Sequence, residues 1–246
     1  MTPKIGYANW LMDDCYLEEK YKYVEMFKPD TPYVKVSANL FENLGLIRLG
    51  NLHTSYNKTT EWVTGPAVVS AFYHPGRNDI TFPAGILQPP FYKYGLPVSV
   101  NMGGIGMVIG HEVTHAFDDK GSQFNAKGEL LNWWTNGTRT EYLTLKKCFI
   151  DQYGRINESQ TCLPLNALNT QGEDVADNGG LLGAYLTYKR LANNSEQYQD
   201  LALPGLENFT SDQMFFISNA VVFHKRGTFR VCCWWKQRPY VAQDFQ

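Results

Sequence analysis

Apolar residues recur at helical spacing in several stretches of this chain and cluster in short β-rich runs in another. Up to about residue 50 the pattern is helical: Val36, Leu40, Leu44 and Ile47 fall near one face, and Gly50 is available as a stop. This stripe predicts a helix that faces a core. The runs from Val68 to Tyr73 and from Asp79 to Phe82 are rich in β-formers, and the turn formers His74-Pro75-Gly76-Arg77-Asn78 separate them, which predicts a hairpin. From Pro83 to Pro90 the prolines remove donors and fix φ, so a loop crossing apolar surface is expected there. From about Gly103 to Asp118, residues Ile105, Val108, Ile109, Glu112, His115 and Ala116 return to helical spacing, and a second such segment runs from about Glu173 to Leu191. Both are predicted as buried helices. No internal repeat, low-complexity tract or polar linker divides the 246 residues, so a single, mostly helical unit of the α+β class is the simplest organisation.

Charge and cysteine usage narrow the functional classes. The formal net charge is −2 and Lys and Arg are scattered, which leaves no basic stripe for phosphates and argues against nucleic acid as a partner. No apolar run approaches the roughly 18 residues of a membrane span, and the opening Met1 to Tyr7 has no apolar region of a secretory signal. Sequons of the N-x-[ST] type nevertheless occur at Asn57, Asn136, Asn157, Asn193 and Asn208, where chance would give roughly two, which points to a secreted history and a glycoprotein. The five cysteines, Cys15, Cys148, Cys162, Cys232 and Cys233, contain no C-x-x-C pair, so zinc ribbons and thioredoxin-like redox chemistry are poorly supported. An odd number also leaves one thiol without a partner in this chain; in an oxidising compartment that partner would lie in sequence not included here.

The chemistry concentrates in Gly110-His111-Glu112-Val113-Thr114-His115, an H-E-x-x-H pattern inside a predicted helix. Residues four apart share a helical face, so His111 and His115 can reach one zinc ion while Glu112 lies beside them, close enough to take a proton from an attacking water. Were the two histidines merely a satisfied core pair, Glu112 would be a buried and unpaired carboxylate, which is costly. A catalytic zinc needs a third protein ligand and keeps one open position. The best candidate is Glu173, which shares a helical face with Asp177 four residues on; one carboxylate could bind zinc while the other orients a ligand. Taken alone, the pair would read as a solvated helix start. Asp177 and Asp118 are both placed to accept a hydrogen bond from the second ring nitrogen of a metal-bound histidine. His53 and His74 lie in turn-rich segments and are expected at the surface.

These two blocks, from Gly110 to Asp119 and from Gly172 to Gly180, resemble the neprilysin and endothelin-converting enzyme family of zinc endopeptidases. The segments Phe82 to Phe91, Asn132-Trp133-Trp134-Thr135 and Leu203-Pro204-Gly205-Leu206 resemble family blocks in the family order, and the similarity runs from about Lys4 to Val222. The resemblance implies a thermolysin-like catalytic domain, here incomplete. His111, His115 and Glu173 would bind one zinc ion per chain, Glu112 would be the general base, and Asp177 would be a second acidic residue described as a proton donor. Asp118 resembles the partner of the second histidine. Family members are anchored in the plasma membrane with a glycosylated, disulfide-bonded ectodomain that cleaves oligopeptides, so the implied location is the extracellular face or the secreted space. Residues 1–223 would then be the carboxy-terminal part of the catalytic domain, and Cys148 resembles a cysteine whose partner lies upstream of this chain.

Two departures from the family pattern matter. The strand expected to pair with substrate backbone reads Ser70-Ala71-Phe72, with serine where the family has asparagine, so Ala71 and Phe72 remain as the substrate-binding pair and one side-chain hydrogen bond is lost. Residues 224–246 form a divergent tail. His224-Lys225-Arg226-Gly227-Thr228-Phe229-Arg230 resembles a family segment carrying an oxyanion-stabilising histidine, but it arrives roughly 20 residues too early, more than a loop can lose without refolding its neighbourhood. A solvated basic segment is the other reading of His224. The expected function is zinc-dependent hydrolysis of internal peptide bonds in oligopeptides. The alternative is an inactive fragment or peptide-binding relative that retains the zinc site.

Overall fold

A computed structural model describes residues 1–54, 57, 60–158, 161–194 and 201–223. The chain divides into two compact units, Tyr7–Trp62 and a larger one made of Met1–Gly6 with Val63–Gln246, rather than the single unit expected.

The larger unit begins with β1 (Thr2–Gly6), whose place in a sheet was not predicted. The smaller unit holds α1 (Asp14–Lys20), capped by the Asp13 carboxylate accepting from the Tyr16 amide at 3.2 Å, and α2 (Tyr33–Gly50). The expected core-facing stripe of α2 is not buried: Leu40 and Leu44 are each 42% exposed, and the one buried residue of the helix is Asn43. Asn43 holds the preceding segment by accepting from the Tyr23 amide at 3.2 Å and donating to the Lys20 carbonyl at 3.0 Å. The face of α2 turned to the rest of its unit is therefore the polar one.

In the larger unit, β2 (Phe72–His74) and β3 (Asp79–Pro83) form the predicted hairpin, although its first strand is shorter than the sequence run. The order β1-β3-β2 puts β3 in the centre, parallel to β1 and antiparallel to β2. All five residues of β3 are buried, and Asp79 accepts from Lys4 of β1 at 2.7 Å, a buried ion pair across the parallel strands. His74 is half-buried rather than at the surface, because its strand packs it beside Gly76 and Arg77. The proline-rich stretch contains a short helical turn, Ala84–Ile86, and Ile86 enters a core with Ile80, Phe82, Ile105 and Val108.

The first predicted buried helix is a composite: α3 (Val98–Asn101), a π-helical turn (Met102–Gly106) and α4 (Met107–Thr114), followed by a 3-10 turn, His115–Phe117. After α5 (Asn136–Tyr153) comes α6 (Ala167–Asn194), which starts six residues before the expected Glu173, and then α7 (Ser211–Phe223). Phe215 of α7, fully buried, stacks on Tyr188 of α6 at 5.7 Å between ring centroids and forms a second core with Met107 and Ala184. From α7, Ser218 donates to the Val100 carbonyl at 2.7 Å and the Asn219 amide to the Gly103 carbonyl at 3.2 Å. These bonds brace the segment leading into α4, where a π turn alters the backbone hydrogen-bond ladder. No helix among the described residues is long and apolar enough to cross a membrane.

Candidate metal centre and active site

The helix α4 and the turn that follows it bring the two histidines together as their spacing predicts, with imidazole Nε2 atoms 2.8 Å apart and the rings perpendicular. From α6, Glu173 Oε2 lies 3.4 Å from His111 Nε2 and 3.6 Å from His115 Nε2. These three residues form the one candidate metal cluster among the described residues.

Their outer partners settle the chemistry of the inner atoms. His111 Nδ1 is 2.8 Å from Asp177 Oδ1, and His115 Nδ1 is 2.7 Å from Asp118 Oδ2. An ionised carboxylate only accepts, so each Nδ1 donates its proton outward, and Nε2 is left as the ring nitrogen that faces the cluster and can ligate once it is deprotonated. The two Nε2 atoms and the Glu173 oxygen thus converge on one point; without a metal a proton shared between the rings holds them together, and a bound cation takes that proton's place. Tetrahedral bonds of about 2.0–2.2 Å place ligand atoms about 3.3–3.6 Å apart; the two Glu173 separations fit zinc, and the histidine nitrogens would part by roughly 0.5 Å to admit it. In the absence of a metal charge, burial pulls the His111 imidazole down, but Asp177 and Glu173 outweigh it and push the group up to about 10. For His115 burial is likewise outweighed, chiefly by Asp118, and its pKa is raised.

Asp118 is itself fixed. It is buried, and its other oxygen accepts from the Lys120 and Gly121 amides at 2.7 Å each. Asp177 is more open, its side chain 47% exposed, and touches the cluster only through His111.

Glu112 lies on the inner side of α4, only 6% exposed. Burial pushes its carboxyl up to about 7, opposed by His115 and His111 and by a hydrogen bond from the Tyr73 backbone. That bond links the base candidate to β2, an edge strand of the sheet. Since the N–H of Tyr73 points away from β3, the period of two puts the N–H and C=O of Ala71 on the same open side. Phe72 pairs with Thr81 of β3. His224 lies outside the described residues, as do Cys232 and Cys233; Cys15, Cys148 and Cys162 are exposed free thiols. The five sequon asparagines are all exposed.

A small sheet beside a helix carrying His111, Glu112 and His115, with a carboxylate delivered from a second helix, defines the architecture of a thermolysin-like zinc metallopeptidase. Residues 70–234 match Peptidase family M13, and the chain belongs to that family. It is 42% identical over 237 residues to human neprilysin, covering 92% of this chain and 30% of that protein. It is 40% identical over 222 residues to neprilysin-11 of Caenorhabditis elegans, covering 89% of this chain and 26% of that protein. Among solved structures, the zinc metalloprotease of Mycobacterium tuberculosis in complex with an inhibitor superposes with a TM-score of 0.70 at 30% identity, covering 90% of this chain and 32% of that one. The chain therefore spans about a third or less of the length of these relatives.

Proposed function

We propose that this chain carries the metal-binding and proton-transfer groups of a zinc metalloendopeptidase that hydrolyses internal peptide bonds of oligopeptides. The observation that carries the reading is the convergence of His111 Nε2, His115 Nε2 and Glu173 Oε2 on one point, with each histidine Nδ1 engaged by a carboxylate, beside the buried Glu112. Zinc, when bound by these three residues, supplies the positive charge that polarises a carbonyl and acidifies water. Asp118 and Asp177 hold the histidines in the ligating tautomer. The resemblance gives Asp177 a proton-donor role; its contact with His111 Nδ1 gives it a positioning one. Glu112 takes the proton of the attacking water and passes it to the departing nitrogen, a task suited to a carboxyl pushed up to about 7. The open edge at Ala71 aligns the substrate backbone, and Phe72, whose backbone pairs with Thr81 of β3, holds that edge in register. The exposed sequons and the family resemblance favour an extracellular or secreted location.

Glu112→Gln tests the proposal, because the amide keeps the shape of the side chain and cannot take a proton. The expected result is full zinc occupancy with turnover of an oligopeptide lowered by about 10²–10⁴-fold. Turnover within a few-fold of the parent, after contaminating protease is excluded, would remove Glu112 as the base. Zinc occupancy without turnover in the parent itself would favour the alternative, an inactive fragment or a peptide-binding relative that retains the zinc site.

A further inference from the structure

Helix α6 has adjacent glycines in its interior, Gly179 and Gly180, where each costs about 1 kcal/mol against alanine. Both sit where the helix presses on α4. A Cβ built on Gly180 would lie 2.5 Å from the His111 amide nitrogen and 3.0 Å from the Met107 carbonyl oxygen. One built on Gly110, the residue before His111, would lie 2.6 Å from the Gly180 carbonyl oxygen. On Gly179 it would meet Thr114 Cγ2 at 2.6 Å and Oγ1 at 2.7 Å. Two turns earlier, on Gly172, it would meet Asp119 Oδ1 at 2.6 Å and Asp118 Oδ2 at 3.3 Å. Glu173 and Asp177 lie between these points of approach, and both reach across to the histidines.

We infer that the glycine contacts between α4 and α6, centred on Gly180, are positioning elements of the metal centre: they set the interhelix distance at which Glu173 reaches the ion held by His111 and His115. The inference rests on the metal site proposed above. Its physical basis is a mismatch of tolerances. A methyl at 2.5 Å must retreat by roughly 1 Å to reach ordinary contact, and at Gly180 it faces backbone, which cannot turn aside. A zinc–ligand bond tolerates about 0.2 Å. Parting the helices therefore detaches Glu173 before it unfolds the pair.

The test measures zinc affinity of the full chain by competition with a chromogenic chelator, with circular dichroism to confirm folding. Gly180→Ala is expected to weaken zinc binding by about 10–100-fold, the range for groups that act through the ligands. Gly183→Ala, on the same helix with nothing within 4 Å of its added methyl, should leave affinity unchanged. Gly179→Ala should weaken binding, and adding Thr114→Ala should restore it to within about threefold of the Thr114→Ala parent, because only the Cβ at 3.2 Å then remains in the way. His111→Ala separates this inference from the site beneath it: retention of zinc by that variant would defeat the metal site itself. Loss of zinc by His111→Ala together with parental affinity in folded Gly180→Ala would overturn the positioning role alone. Should Gly180→Ala fail to fold, the Gly179 and Thr114 pair decides, and absence of rescue there counts against the inference.

Discussion

Asp118 offers a way to separate what the fold needs from what the metal needs, because its two oxygens serve different masters. One accepts from the amides of Lys120 and Gly121, and the other accepts from His115 Nδ1. Asp118→Ala removes both. The buried Gly121 amide loses its acceptor at about 1–3 kcal/mol and the part-buried Lys120 amide at less, against a typical stability of about 5–15 kcal/mol. Asp118→Asn behaves differently. Two converging amide donors fix the carboxamide oxygen where Oδ1 was, so its NH₂ group faces His115. That NH₂ needs an acceptor, which draws the imidazole into the tautomer protonated at Nε2, the nitrogen that should ligate. The expected outcome is a metal-free Asp118→Asn protein within about 1 kcal/mol of the parent in urea unfolding, but with zinc affinity down by about 10–100-fold. Asp118→Ala should lose both properties. Unfolding of chelator-treated proteins and competition for zinc give the two numbers independently. Parental zinc affinity in Asp118→Asn would refute the assignment of Asp118 as the group that sets the His115 tautomer.

Two further outcomes follow from the fold. Burial lowers the pKa of His74, with Arg77 acting in the same direction, Asp79 opposing and Lys4 adding a smaller depression. A base depressed on folding contributes stability that is present above its unfolded value, about 6.5, and lost as pH falls through the folded value. Thermal melts of His74→Gln should therefore be flatter than those of the parent below about pH 6.5, and identical pH slopes would count against the assignment. Phe215→Ala, which empties a fully buried aromatic site stacked on Tyr188, should cost about 3–5 kcal/mol in urea unfolding; a loss below about 1 kcal/mol would show that the α6–α7 core repacks around the gap.

The parts of the site carried by one local segment were legible in the sequence, and the parts that depend on distant packing were less so. His111, Glu112 and His115 share a short stretch of helix and its first following turn, so their geometry follows from the helical period. Glu173 is 61 residues past Glu112. Spacing marks it only as half of a carboxylate pair, and the family resemblance assigns its role. The strand β1 carries no apolar alternation: its Lys4 is buried because Asp79 of β3 neutralises it, a pairing that needs the fold first. The stripe on α2 misled for the opposite reason, since apolar spacing reports a face that can be buried, and within its own unit the face in use is that of Asn43. His74 sits in a turn-rich run, yet the hairpin folds it inward. The adjacent glycines of α6 did carry a readable signal, a costly pair inside a helix, whose meaning depends on knowing which backbone lies opposite.

The hydrogen bond from the Tyr73 backbone to Glu112 has a consequence for where a peptide would be cut. Along the open edge of β2, backbone groups face outward only at alternate residues, Ala71 and Tyr73, and one of these is already engaged by the base. A peptide laid on that edge can keep its ladder only by sliding in two-residue steps of about 6.8 Å, since a one-residue slip turns every side chain to the opposite face. With Glu112 as the proposed base, strand and base would share a common ruler: the sheet would fix which bond comes to rest at Glu112, and side-chain preferences would choose among the permitted steps.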